Sequence, residues 1–316
     1  MRNSRSHPAS YHDGELAAQG RAGFRESADH LRPIISETLP RGADGFLADL
    51  RLLVVGAAAS DGRMWASMLY GQPGFLRVLG PRELSIGARL PDADPLAAAL
   101  AAPALVGTVA VDLPNRRRLR INGRTTPVPD GLRLTVDQAY GNCPKYIQRR
   151  EPRTAVPTGS TPRVAASSEL LPEQRRMIDT ADTFFIASAA SAGDADASHR
   201  GGNPGFVRTP SPQRVRWPDY EGNSMLMTLG NLTVNPAASL LFVDWQAGTT
   251  LHMTGTAEID WSARAAAGMP GAERTVDFQV AEVVQIDHPH GALIWSAPQY
   301  SRFNPPVAPA PPTSGR

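Results

Sequence analysis

A seven-residue phrase occurs twice in this chain, and its recurrence constrains the fold more than any other feature. Residues 71–77 read GQPGFLR and residues 202–208 read GNPGFVR, so Gly71, Pro73, Gly74, Phe75 and Arg77 return 131 positions later as Gly202, Pro204, Gly205, Phe206 and Arg208. The phase persists beyond the phrase. Val111-Asp112 and Gly123 return as Val243-Asp244 and Gly255 at an offset of 132, and the apolar runs Leu52–Val55 and Phe184–Ala187 keep that separation. Self-similarity at a fixed long period signals one structural unit used twice. The chain is therefore expected to fold as two equivalent halves.

Within each half the pattern is β. Leu52–Val55 and Phe184–Ile186 are short apolar runs bounded by Gly, Ser and Asp, as buried strands between turns are. Leu119-Arg120-Ile121-Asn122 and Leu251-His252-Met253-Thr254 alternate apolar and polar and follow polar turns, so each reads as the second arm of a hairpin. Helices are expected near 14–27, 45–51, 172–180 and 223–231. The Ser-, Thr- and Pro-rich stretch 152–168 reads as a linker. The expected organisation is an N-terminal helical extension (1–44), a first half (45–151), that linker, a second half (169–304) and a disordered Pro-rich tail (305–316). With 29 Pro and 28 Gly in 316 residues, a turn-rich, mainly β architecture fits better than a helical bundle.

Charge narrows the partners. Thirty-two basic against 30 acidic residues leave a net charge of +2, so no overall field draws nucleic acid, and any anion must be met locally. Arg116-Arg117-Arg118 falls in a predicted turn without aromatic interleaving. The longest uncharged stretch, 96–111, is too short to span a bilayer and is broken by Pro103 and Gly107. The N-terminus lacks the apolar core of a secretory signal, and a single cysteine, Cys143, excludes an internal disulfide framework. The expectation is a cytoplasmic protein without a membrane segment. His288-Pro289-His290 offers two metal-ligand side chains with no matching cluster, and reads as a turn.

Taken in order, these residues resemble the bacterial two-half members of the pyridoxamine 5'-phosphate oxidase-like family. The likeness is carried by His12-Asp13-Gly14-Glu15-Leu16 with Arg21-Ala22-Gly23, by DGRMWASMLYGQPGF at 61–75 and by YGNCPKYIQRR at 140–150. In the second half it is carried by SHRGGNPGFVR at 198–208, DYEGNSMLMTLGNL at 219–232, NPAASLLFVDW at 235–245 and LHMTGTAEI at 251–259. The resemblance implies tandem FMN-binding split β-barrels that form a pseudo-dimer within one chain, with FMN in the groove between halves. FAD, deazaflavin F420 or haem are the alternative cofactors. It implies a flavin-dependent oxidoreductase acting on a small-molecule substrate with an electron donor, or else a non-catalytic carrier or regulator of such a cofactor. Two such chains can pair further as a homodimer of pseudo-dimers.

A flavin needs donors for its phosphate, a flat wall for its ring and polar groups that tune the ring nitrogens. On the family pattern the second half supplies them. Arg200 and Arg208 are candidates for the phosphate, with Ser198, His199 and Ser224 as further donors and the helix starting near Asn223 adding backbone N–H groups. Trp217, Tyr220 and Trp245 are candidate walls, Asn223 and Asn231 candidate amide contacts. His199 is also a candidate acid or base, since its ordinary pKa lies near neutrality. Lys145, in the phrase Asn142-Cys143-Pro144-Lys145-Tyr146, is expected to reach the phosphate across the interface, and with Arg149 and Arg150 gives Cys143 a basic neighbourhood. Two departures stand out. Ser224 occupies a position that is often basic in the family, and the first half reads Met64-Trp65-Ala66-Ser67 where the second reads Ala197-Ser198-His199-Arg200, so one groove is expected to be degenerate.

Overall fold

The computed structural model describes residues 10–153, 162–191, 193–287 and 294–307. Two helices, α1 (Asp13–Ala22) and α2 (Arg25–Leu31), precede a first half made of α3 (Ala43–Ala48), β1 (Leu52–Ala58), β2 (Met64–Tyr70), β3 (Leu76–Gly80), β4 (Glu83–Ile86), α4 (Ala97–Leu100), β5 (Ala104–Asp112), β6 (Arg117–Val128) and β7 (Gly131–Gly141). A short strand, β8 (Arg163–Ser167), leads into the second half. That half contains α5 (Pro172–Asp179), β9 (Thr183–Ala189), β10 (Ala195–Gly201), β11 (Arg208–Ser211), β12 (Arg214–Tyr220), α6 (Met227–Val234), β13 (Ala237–Val243), β14 (Thr250–Asp260), α7 (Ala263–Ala267) and β15 (Ala272–Asp287).

The two antiparallel sheets have the same strand order. One runs β2-β1-β5-β6-β7-β4-β3 and the other β10-β9-β13-β14-β15-β12-β11, with β8 added on β15. The fold is mainly β, two tandem split barrels facing each other as a pseudo-dimer. Part of the expected linker, 163–167, is thus a strand, paired with β15 from Val283↔Ser167 to Asp287↔Arg163. Residues 154–161, His288–His290 and 308–316 lie outside the described residues. Among the described residues no helix is long and apolar enough to cross a membrane.

The repeated phrase has one structural meaning in both copies. Gly74 and Gly205 take φ of 91° and 90°, a left-handed turn open to glycine at no steric cost. A Cβ on Gly71 would fall 2.3 Å from the Phe75 ring, and one on Gly202 would fall 2.6 Å from the Phe206 ring. The turn thereby drives Phe75 and Phe206 into the cores of their respective barrels.

The continuous apolar strands are explained by burial on both faces. In β1, Leu53, Val55 and Ala57 enter the first barrel's core, while Leu52 and Val54 enter a third cluster between the halves. In β9, Phe184 and Ile186 face the second barrel's core, and Phe185, Ala187 and Ala189 face the inter-half cluster. The halves approach closely enough that a Cβ on Gly56 would lie 2.3 Å from Ala187 Cβ, and one on Gly107 would lie 2.3 Å from the Asp196 backbone. A close-packed apolar interface of this kind is expected to make the halves unfold as one cooperative body.

The N-terminal helices sit on the second half. His12 caps α1 by accepting from the Gly14 N–H at 3.1 Å, and Glu15 closes the capping box at the His12 N–H at 2.9 Å. Two glycines let α1 and α6 touch, since a Cβ on Gly14 would lie 2.3 Å from the Gly230 carbonyl oxygen. Buried Gln19 then donates to the Met225 carbonyl at 2.9 Å, which fixes the loop before α6.

Candidate functional site

Where β6 of the first half passes β10 of the second, a polar seam interrupts the apolar interface. Arg120, only 7% exposed, donates to Asp196 Oδ2 at 2.8 Å and to Ser198 Oγ at 2.6 Å. Asp196 Oδ1 also accepts from Tyr140 at 3.0 Å and from Asn122 at 3.1 Å. Burial opposes the charge on Arg120, but Asp196 and Tyr140 outweigh it and raise its pKa above the ordinary value. This buried network leaves only Arg120 Nε without a partner among its side-chain donors and acceptors, and it ties the two halves together in register.

Two residues along β6 from Arg120 lies a cleft lined from the first half by Arg118, Cys143, Lys145 and Tyr146 and from the second by His199, Arg200, Phe206, Tyr220 and Glu221, among others. Four of these are basic types and one is acidic. Lys145 Nζ pairs with Glu221 at 3.0 Å, and Arg200 Nη1 with Asp219 at 3.3 Å. Arg118 is different. Its Nε donates to the Cys143 carbonyl at 3.0 Å and its Nη1 to the His199 carbonyl at 3.1 Å, and among the described residues it has no carboxylate partner. Burial, followed by the Arg120 and Arg200 cations, pushes its pKa down to about 9, so it remains charged at neutral pH. A half-buried cation without a carboxylate partner is suited to meet an anion.

His199 adds a second unmet valence. Burial, then Arg118, Arg200 and Arg150, hold its pKa well below the usual 6.5, so the ring is neutral. A guanidinium can only donate; Arg118 Nη1 lies 3.4 Å from His199 Nδ1, which assigns Nδ1 as acceptor and places the ring proton on Nε2. That Nε2 is buried without a partner, as is Arg200 Nε. Tyr146 and Tyr220 form a tilted pair with centroids 5.2 Å apart along the same cleft, and Tyr146 donates to the Glu221 carbonyl at 3.0 Å.

A second, small cavity adjoins the first through Arg200, Tyr220 and Gly222, and is lined further by Phe24, Arg120, Asp219, Asn223, Ser224, Thr228 and Glu273. It lies at the start of α6. The helix begins four residues later than its sequence suggests because Ser224 and Leu226 take φ of 58° and 52°, a left-handed conformation that cannot continue an α-helix. Thr228 Oγ1 is buried there without a partner.

The structure therefore brings together Lys145, His199, Arg200 and Tyr220 in the cleft, with Ser198 behind them and Asn223 and Ser224 in the adjoining cavity. It does not bring in the other four. Trp217 is 1% exposed in the second barrel's core, edge-on to Phe184 at 5.3 Å, because its strand position points inward. Asn231 holds the fold: its Oδ1 accepts from His12 Nε2 at 2.9 Å and its Nδ2 donates to Ser188 at 3.0 Å. Trp245 packs between Phe185 and Trp295 and borders a separate cavity. Arg208 opens β11 opposite Arg216, outside the lining of the cleft. His199, being held neutral, is suited to donate a hydrogen bond rather than to act as an acid.

Arg118 and Arg120 are the residues that a reading of the sequence passed over. The strand register shows the missed signal. Val111↔Arg118 and Val109↔Arg120 correspond to Val243↔Thr250 and Leu241↔His252, so the halves differ in charge at matched positions. The same register sets the counterparts of Ala197-Ser198-His199-Arg200 as Ala66-Ser67-Met68-Leu69, two residues on from Met64. The first half still lacks the His-Arg pair. Among the described residues no group of three or more His, Cys, Asp or Glu side chains could hold a metal ion.

Comparison with known proteins gives one sequence match: residues 170–295 fit the family model described as pyridoxamine 5'-phosphate oxidase. No curated protein matches the chain. Among solved structures, a Clostridium acetobutylicum protein related to general stress protein 26, of the pyridoxinephosphate oxidase family, is 12% identical, with 37% of this chain and 88% of that chain covered and a TM-score of 0.28. An FMN-binding protein from Syntrophomonas wolfei is 5% identical over 36% of this chain and 84% of its own, TM-score 0.28. An F420 reductase is 13% identical over 36% of this chain and 98% of its own, TM-score 0.28.

Proposed function

We propose that this chain, whose residues 170–295 match the family model described as pyridoxamine 5'-phosphate oxidase, is an FMN-binding oxidoreductase that uses the cleft between its two halves. The observation that carries this reading is Arg118, a half-buried cation without a carboxylate partner among the described residues, set against His199, whose Nε2 has no partner. The residues fit the cofactor's needs. Arg118, Arg200 and Lys145 would meet its negative charge, the His199 Nε2–H would donate to it, and the Tyr146–Tyr220 pair would provide the flat wall. When bound, FMN supplies hydride acceptance at N5 from a reduced donor. The chain's own part is to bind and orient the cofactor, to exclude water with Phe24 and Phe206, and to present a cationic wall that favours an anionic ligand over a neutral one.

The matched positions on the opposite side carry Thr250, His252, Met68 and Leu69, which supports one flavin per chain. Absorption spectroscopy of the purified protein, with chromophore release and mass analysis, tests the reading. Flavin bands with one FMN released per chain are expected. A colourless protein that takes up no added FMN would overturn the reading. A released F420 or haem would keep the cleft and replace the cofactor. FMN binding without turnover of either nicotinamide would leave a carrier.

A further inference from the structure

Cys143 is the chain's sole cysteine, it is half-buried, and it lines the cleft. The Lys145 N–H donates to its Sγ at 3.5 Å, and the Arg118 guanidinium holds its carbonyl at 3.0 Å. Lys145, His199 and Arg200 complete the surroundings, with Glu221 the one carboxylate in the lining. The ligand signal beside this thiol is independent of it: His199, 2% exposed, presents an Nε2 with no partner. A thiol in the lining of a cationic cleft meets anionic reagents at a raised local concentration.

We propose that Cys143 is a modification site that takes up carboxylate-bearing low-molecular-weight disulfides by thiol–disulfide exchange, and that the adduct closes the cleft. In the exchange the Cys143 sulfur, having lost its proton to water, attacks one sulfur of the incoming disulfide. A new S–S bond forms as the old one breaks, and the departing thiolate carries off the electron pair. Cys143 is oxidised, and the released half of the reagent is reduced. Arg118 and Lys145 steer the carboxylates in, and a reducing thiol reverses the step. Closure of the cleft to FMN rests on the function proposed above; the exchange itself does not.

The test uses the full-length protein without added flavin and two probes, the dianionic aromatic disulfide DTNB and the neutral 4,4'-dithiodipyridine. Salt at about 1 M is expected to slow DTNB roughly 10-fold and to leave the neutral probe nearly unchanged. Arg118→Gln is expected to erase the same selectivity, with the salt dependence of the unaltered protein standing alone if the variant does not fold. Silence of Cys143 towards DTNB in the folded protein, or equal salt dependence of both probes, would overturn the proposal. FMN should protect Cys143, and the adduct should block FMN. Charge-selective exchange in a protein that never binds FMN would uphold the modification site and remove the flavin.

Discussion

Removing a half-buried cation that has no carboxylate partner relieves a fold of an unpaired charge, whereas removing a buried, paired one strands its partner. The two arginines of β6 make that contrast directly. Arg118→Met is expected to leave the melting temperature unchanged or higher and to weaken FMN binding about 10- to 100-fold, the worth of one or two charge-assisted hydrogen bonds. Arg120→Met leaves Asp196 buried among Tyr140 and Asn122 and is expected to cost about 3–5 kcal/mol of stability. Thermal denaturation beside a flavin-fluorescence titration reads both effects. If the two variants lose stability alike, the assignment of Arg118 to ligand binding fails. His199 supplies a pH prediction. Its folded pKa lies below the ordinary 6.5 through burial and three arginines, so the folded chain binds fewer protons than the unfolded chain between those two values. Stability is therefore full above about pH 6.5 and declines as pH falls from there towards the folded value. His199→Gln should flatten that decline in denaturant titrations; an unchanged slope would show that other groups set it.

Strands and turns were the most legible level of this chain. β1 and β9 could be read as buried because both faces are covered, one by a barrel core and one by the facing half, which leaves an uninterrupted apolar run. The recurrence of Gly123 as Gly255 also has its cause at this level. Both fall at a bulge, where a Cβ would lie 2.0 Å from the Thr135 and Gln279 carbonyl oxygens, respectively. Gly255→Ala is expected to destabilise the fold by about 1–3 kcal/mol, measured by urea unfolding, and a neutral result would mean that the bulge relaxes. What could not be read locally depends on pairing between halves. Arg118 sits beyond the turn to which its triplet seemed to belong, and only the approach of β10 gives it His199 as a neighbour. Trp217 and Trp245 look alike as candidate ring walls in sequence, and only the barrel decides that each is packed in a core. The start of α6 was misjudged because nothing in Ser224 or Leu226 as residue types announces a left-handed backbone.

At the scale of the molecule, the third apolar cluster, with Leu52, Val54, Met68, Phe185, Leu241 and Trp245 among its members, is the seam on which everything else depends. A chain cut to residues 1–153 would expose its own share of that seam and lose His199 from Arg118 and Asp196 and Ser198 from Arg120. It is expected to aggregate or remain unfolded by size-exclusion chromatography and circular dichroism, and to bind no FMN. A monomeric, cooperatively melting fragment would contradict the account of one cooperative body. Phe185→Ala, in the intact chain, should cost about 3–5 kcal/mol.

The equal strand orders and unequal side chains of the two sheets have one more consequence. In an assembly of identical subunits every substitution is inherited twice, so an improvement at one groove is imposed on its twin whether or not the twin tolerates it. Joining both halves in one reading frame removes that bond. Thr250 is free to stay small while Arg118 becomes a cation, and Met68 to stay oily while His199 becomes a donor, which makes one side of this molecule available for chemistry and the other for cohesion.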